Sequence, residues 1–443
     1  MGGLAQRGLT IGVLAVTVLG TSAVRAAPPP SPRPGPAVTA LLSVASDGTH
    51  GNADRFDPVL SADGSTVAFA SLATNLAANL AATGAARVVN VFVRDQRTGR
   101  TTRISDGPGG TAADGDSGRP AVSADGSVVA FESRASNLVA GDANGVSDVF
   151  VWVRATGRTA RVSVASDGTE GNGDSVSPSI SADGRYVAFA SEASGLVAGD
   201  HNRAEDVFLH DRTTGRTTRV SVASDGRPGN GASFSPAISA DGRYVAFASD
   251  ATNLVRGDTN GDTDVFVHDR GTGRTTRVSQ AGNGGPVNGD VFSPSISGDG
   301  RFVAFATDAG NVVSGDDNHA SDVFVHDRQT GRTVLVSAGP GGRPSDRGSF
   351  APSLSADGRW VAFVTDGALL SDDTNATEDV YVADVAGGAL RRVSLASDGH
   401  EGNGPSTGPS ISADGTAVAF ESLASNLVVA DSNAAEDIFW HGH

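Results

Sequence analysis

The sequence predicts an all-β protein, a seven-bladed β-propeller of four-stranded antiparallel blades. Three observations carry that reading. One four-residue phrase recurs seven times at a nearly constant step, no helical period is sustained after the N-terminal segment, and the two ends hold complementary parts of one unit.

The phrase is Ser-Ala-Asp-Gly, with Gly298 replacing Ala once, and its Asp falls at Asp63, Asp125, Asp183, Asp241, Asp299, Asp357 and Asp414. Neighbouring positions differ by 62, 58, 58, 58, 58 and 57 residues. That step exceeds one hairpin and suits a four-stranded blade with generous loops.

The unit around Asp183 gives the strands. A first strand is expected over 177–181, with Pro178 near its start where a missing N–H does least harm. Asp183-Gly184 forms the hairpin turn. The second strand, 185–190, is apolar on both faces, as packing between blades requires. A loop leads to a third strand over 206–211, a Thr-Gly-Arg turn follows, and 217–223 forms the fourth.

The last unit stops at its third strand, around Asp437-Ile438-Phe439. The segment 41–46, Leu-Leu-Ser-Val-Ala-Ser, matches the fourth strand it lacks. Pairing the two closes the ring and removes two exposed sheet edges. The propeller is therefore expected over 40–443. Before it, 1–26 reads as a signal peptide, with Arg7, an apolar run over 9–20 and the small-residue site Val24-Arg25-Ala26. A Pro-rich spacer follows over 27–39. The expectation is a secreted, extracytoplasmic protein without a membrane span after signal removal; an uncleaved signal anchor, making a sensor ectodomain, is the alternative.

The array from 41 onward resembles the β-propeller repeats of TolB and related WD-like proteins. The resemblance rests on Ser-Pro-Ser-Ile-Ser-Ala-Asp-Gly-Arg-Tyr-Val-Ala-Phe from Ser177 and on Asp-Val-Phe-Leu-His-Asp from Asp206. It implies the propeller fold. The family's Ser-Pro-Asp-Gly turn is Ser-Ala-Asp-Gly here, and the α/β domain that precedes the TolB propeller has no counterpart in this sequence.

The formal net charge is −17, and all 33 basic residues are Arg. Such a chain lacks the basic footprint that nucleic-acid binding needs. The absence of Cys excludes disulfides and thiol catalysis.

Chain direction sorts the loops onto two faces. Those joining strands two and three, and each fourth strand to the next blade, share one face and are rich in Asp and Asn. Their main motif is Asp-x-Asn-x-x-x-Asp, at Asp142/Asn144/Asp148, Asp200/Asn202/Asp206, Asp258/Asn260/Asp264, Asp316/Asn318/Asp322, Asp373/Asn375/Asp379 and Asp431/Asn433/Asp437. Asp262 adds a carboxylate in blade four, and blade one lacks the pattern. Alternating oxygen ligands suit Ca²⁺, which takes 6–8 oxygens. The same residues also brace loops through side-chain-to-backbone hydrogen bonds. Both readings stand at this point.

Two motifs look catalytic. Gly115-Asp116-Ser117-Gly118 resembles a serine-protease segment, and Gly404-Pro405-Ser406-Thr407-Gly408 fits the Gly-x-Ser-x-Gly elbow. Neither has the strand-turn-helix setting or the positioned His that such chemistry needs, so both are read as chance. His210, His268 and His326 recur in different blades and are read as packed histidines rather than joint metal ligands.

The functional expectation is a binding or scaffold protein, monomeric as a ring, presenting acidic loops, stabilised by Ca²⁺ in one reading, to a glycan, peptide or protein. The alternative is a secreted carbohydrate-active hydrolase or lyase with its site at the central channel. An enzyme should break the repeat with unique residues at the channel mouth.

Overall fold

A computed structural model describes residues 37–77, 88–429, 431, 433 and 435–442. The signal peptide and nearly all of the spacer lie outside the described residues. The rest forms seven four-stranded antiparallel sheets, one per repeat, with a two-stranded hairpin between blades one and two. Blade three is representative: its strands are Ser175–Ile180, Tyr186–Ser191, Asp206–Asp211 and Arg216–Arg219. First strands of neighbouring blades touch one another all around the ring, so they line the central channel.

The core lies between blades. Second and third strands are buried on both faces, and each blade stacks one aromatic pair across them, such as Phe189 on Phe208 at 6.0 Å. Val, Ala and Phe fill these positions because both faces of each sheet meet a neighbour. Burial of that kind contributes about 25 cal/mol per Å² of apolar surface.

Pro178 does not sit at a strand start. It lies inside Ser175–Ile180, at a bulge where the register shifts between Val176 and Ser179. The same proline recurs in every blade, and the residue before it has positive φ: Asp57, Arg119, Ser177, Ser235, Ser293, Ala351 and Gly408. A bulge on an innermost edge strand accepts a residue without an N–H.

The ring closes as expected, with a shifted boundary. The completing strand is Val38–Leu41, paired with Asp437–Gly442. Segment 41–46 aligns with 219–224, which leaves the ladder at its end, so the pairing strand lies just upstream. Leu42 N–H still bonds the Ile438 carbonyl at 2.8 Å.

The Ser-Ala-Asp-Gly turns make a second ring. The Ala62 N–H donates to Ala124 O, Ala124 to Ala182, Ala182 to Ala240, Ala240 to Gly298, Gly298 to Ala356, and Ala413 to Ala62, at 2.8–2.9 Å. Between Ala356 and Ala413 the donor is Asp357 N–H, at 3.4 Å. A Cβ on Gly298 would stand 3.3 Å from that of Ala356 and 3.4 Å from that of Ala240. Seven small residues so spaced leave an opening of roughly one water's width. The channel is thus pinched on the hairpin face.

Candidate functional site

The Asp-x-Asn loops fold as charge-braced notches. In blade four, Asn260 Nδ2 donates to Asp264 Oδ2 at 3.3 Å and to Val287 O at 3.1 Å, and Ser279 Oγ donates to Asp264 Oδ1 at 2.5 Å. Arg277 then bridges the motif's ends, with Nη1 3.4 Å from Asp258 and 3.3 Å from Asp264. Blades two, three and six repeat this: Arg161 joins Asp142 and Asp148, Arg219 joins Asp200 and Asp206, and Arg392 joins Asp373 and Asp379. Asn144, Asn202, Asn318, Asn375 and Asn433 each donate to the last Asp of their motif. Burial, with Asp264 second, pushes Asp258 up to about 6, and Asp262 adds a smaller push.

These six loops lie in six blades and do not converge. Among the described residues no group of three or more His, Cys, Asp or Glu side chains is arranged to hold a metal. Blade five differs in one respect. Its fourth strand, Arg332–Leu335, ends in Leu335 where blades two, three, four and six have the bridging Arg, and among the described residues Asp316 makes no side-chain hydrogen bond or ion pair.

The serines of the two catalytic-looking motifs are buried and structural. Ser117 Oγ bonds Ser133 Oγ at 2.8 Å, and Ser406 Oγ bonds Ser422 Oγ at 2.9 Å. The histidines are packed and paired: His210, His268 and His326 bond Thr217, Thr275 and Thr333 through Nδ1 at 2.9 Å. Thr217 donates its only hydroxyl hydrogen to Val164 O in the preceding blade, so it accepts from His210 and the proton resides on Nδ1. Burial lowers the pKa of all three histidines and keeps them neutral.

The hairpin face is electrostatically self-sufficient. Arg185 clasps Asp211 with two hydrogen bonds, at 2.8 and 2.7 Å, and stacks on Tyr186; Arg243 and Asp269 repeat the arrangement.

The channel mouth is different, and here the repeat breaks. The bulge column carries Asp57 and Arg119 where other blades have Ser, Ala or Gly. In the second strands, Glu132 and Glu421 replace the Ala or Val of the other five blades. Glu421 accepts from Asp57 N–H at 3.0 Å and from Thr407 at 2.9 Å; Glu132 accepts from Ser177 N–H at 2.8 Å. Arg119 reaches Ser177 Oγ at 2.8 Å.

Glu436, just before the last strand, makes no side-chain hydrogen bond or ion pair among the described residues. Burial, reinforced by Glu421, Asp54 and Asp57, pushes its carboxyl up to about 7. Glu205, on the other side of Arg119, is pushed up to about 6 by burial and by Glu192. Across the channel from blade one, Phe292 in the first strand of blade five is 45% exposed. The mouth thus sets a carboxylate-rich side, in which Arg119 lies 3.8 Å from Glu132, opposite the exposed Phe292 ring. Sequence reasoning missed these residues, although positions 57, 119, 132 and 421 depart visibly from the repeat; Glu436 does not, since Glu205 and Glu378 hold the same place in their blades.

No helix among the described residues is long and apolar enough to cross a membrane. No protein-family model matches the chain, and no curated protein matches it. Among solved structures it is similar to an oligogalacturonate lyase in complex with manganese, at 13% identity over 91% of this chain and 92% of that one, with a TM-score of 0.54. It is also similar to a prolyl endopeptidase, at 15% identity over 84% of this chain and 46% of that one, with a TM-score of 0.52. TolB proteins are among the similar structures too: that of Acinetobacter baumannii is 17% identical over 77% of this chain, which spans 66% of it, with a TM-score of 0.40. Likeness at such identities is likeness of fold, since one propeller scaffold hosts unrelated sites.

Proposed function

We propose that this chain is an exported binding propeller whose channel mouth, on the loop-rich face, takes a positively charged segment of a peptide or protein. The observation that carries it is the unpartnered Glu436 carboxyl, crowded by Glu421, Asp54 and Asp57. Crowded, partly desolvated like charges are unfavourable, and a cationic ligand relieves that. Exposed Phe292 offers the aliphatic stem of a Lys or Arg an apolar and cation–π surface. Export rests on the features of segment 1–26. Calcium belongs to this reading as a loop-bracing ion.

Calorimetric titration with a short oligo-arginine peptide tests the reading. Saturable binding is expected, at least tenfold weaker in Glu421→Gln/Glu436→Gln, with no binding of an oligo-glutamate control. Equal affinity in the variant would overturn it.

A carbohydrate-active enzyme is the second reading. It is favoured by the same cluster, because Glu436 keeps its proton near neutrality beside other carboxylates, the pairing that acid–base chemistry on glycosides uses. Turnover on a glycan panel, abolished by Glu436→Gln alone, would establish it over simple binding.

A further inference from the structure

The blades repeat one electrostatic unit, and blade five departs from it. In blades two, three, four and six an Arg Nη1 lies 3.0–3.5 Å from both carboxylates of the notch. Blade seven has Leu41 at the arginine's place, yet it still receives a guanidinium, because Arg55 arrives from blade one and bonds Asp437 at 2.5 Å. Blade one has no pair to bridge, since Asn90 replaces the last Asp. In blade five Leu335 takes the arginine's place, and among the described residues no other Arg pairs with either carboxylate.

The two carboxylates remain. Asp322 is fully buried and keeps only neutral donors, Ser337 Oγ at 2.5 Å and Asn318 Nδ2 at 2.6 Å. Asp316 is 8% exposed and, among the described residues, its side chain has no hydrogen bond or ion pair. Its equivalents Asp142, Asp200, Asp258 and Asp373 all point at the guanidinium, and Asp316 lies near enough to act electrostatically on Asp322. The nearby Asp317 and His319 are exposed. A main-chain oxygen belongs to the same notch, because Gly141 O and Asp372 O accept from the bridging arginines and Gly315 holds that position in blade five. Leucine is shorter than arginine and carries no charge, so nothing at position 335 neutralises the two carboxylates.

We propose that blade five binds one divalent cation, Ca²⁺ by its all-oxygen donor set, between Asp316 and Asp322, doing by metal what arginine does in the other blades. The site is independent of the channel mouth, so its failure would leave the proposed ligand site untouched.

The test uses the full chain stripped with a chelator and Ca²⁺ alone as the probe. Equilibrium dialysis is expected to give one Ca²⁺ per chain, and saturation to raise the unfolding midpoint by about 3 °C or more. Leu335→Arg should abolish both effects and melt, in chelator, near the Ca²⁺-loaded wild type. Should that variant fail to fold, Asp316→Asn, nearly isosteric, should weaken Ca²⁺ binding at least tenfold. Binding that persists in Leu335→Arg, binding unchanged in Asp316→Asn, or no binding by the wild type at millimolar Ca²⁺ would each overturn the proposal.

Discussion

Arg55, in the first strand of blade one, crosses the ring seam to pair with Asp437 in the last strand, and both side chains are fully buried. Every other blade but blade five has a Ser or Gly-flanked Ser where Arg55 stands, so the seam has its own lock. Removing one partner leaves a buried charge uncompensated, which costs about 3–5 kcal/mol. Arg55→Ala should therefore lose that much in urea unfolding; a loss under about 1 kcal/mol would mean the seam holds through its strand pairing alone.

The ring of small residues at the pinched end makes a steric prediction. Ala182→Leu should destabilise by about 1–3 kcal/mol, since a larger side chain must push its neighbours apart and stretch the backbone hydrogen bonds. Gly298→Ala merely restores the residue of the other blades and should change stability by less than about 1 kcal/mol. Thermal unfolding of the two variants checks both.

His210, Thr217 and Val164 form a hydrogen-bonded relay between blades. Thr217→Val keeps the shape but strands the His210 Nδ1–H and the Val164 carbonyl. The expected loss is about 1–3 kcal/mol. His210→Phe/Thr217→Val, which removes two of the three polar partners, should lose less than the sum of the single changes. A fully additive double-mutant cycle would refute the coupling.

Glu436 predicts a pH dependence. Its carboxyl titrates near 4.5 in an unfolded chain and at about 7 in the folded ring. Within that window the native state holds a proton the unfolded state has lost, so this group's contribution to stability falls as pH rises and is unfavourable above about 7. Glu436→Gln should therefore be more stable than wild type at pH 8, with the difference gone near pH 4.5. An advantage equal at both pH values would show the effect is not electrostatic.

Much of the fold was legible because the Ser-Ala-Asp-Gly phrase fixes blade number and the Phe pairs fix the two central strands. Boundaries moved where backbone irregularity intervened. The proline bulge puts the residue before Pro178 in a left-handed conformation, and a period-two reading of the strand cannot anticipate that. The Asp-x-Asn loops were visible, but their bridging arginines were not, since each lies thirteen residues beyond the last Asp and meets it only through a hairpin, as Asp264 meets Arg277. The channel mouth was hidden for a similar reason. Asp57, Glu421 and Glu436 come from two blades at opposite ends of the chain and become neighbours only when the ring closes.

That closure also sets a timetable. Val38–Leu41 is among the first parts of the propeller to emerge, yet its partner Asp437–Gly442 is the last. At about 5–20 residues per second the early strand waits on the order of tens of seconds with an unsatisfied edge. A product cut short before residue 437 can never engage it. Completion of the final sheet therefore reports that all seven blades have been made, and a protease that senses loose strand edges could tell closed rings from open ones.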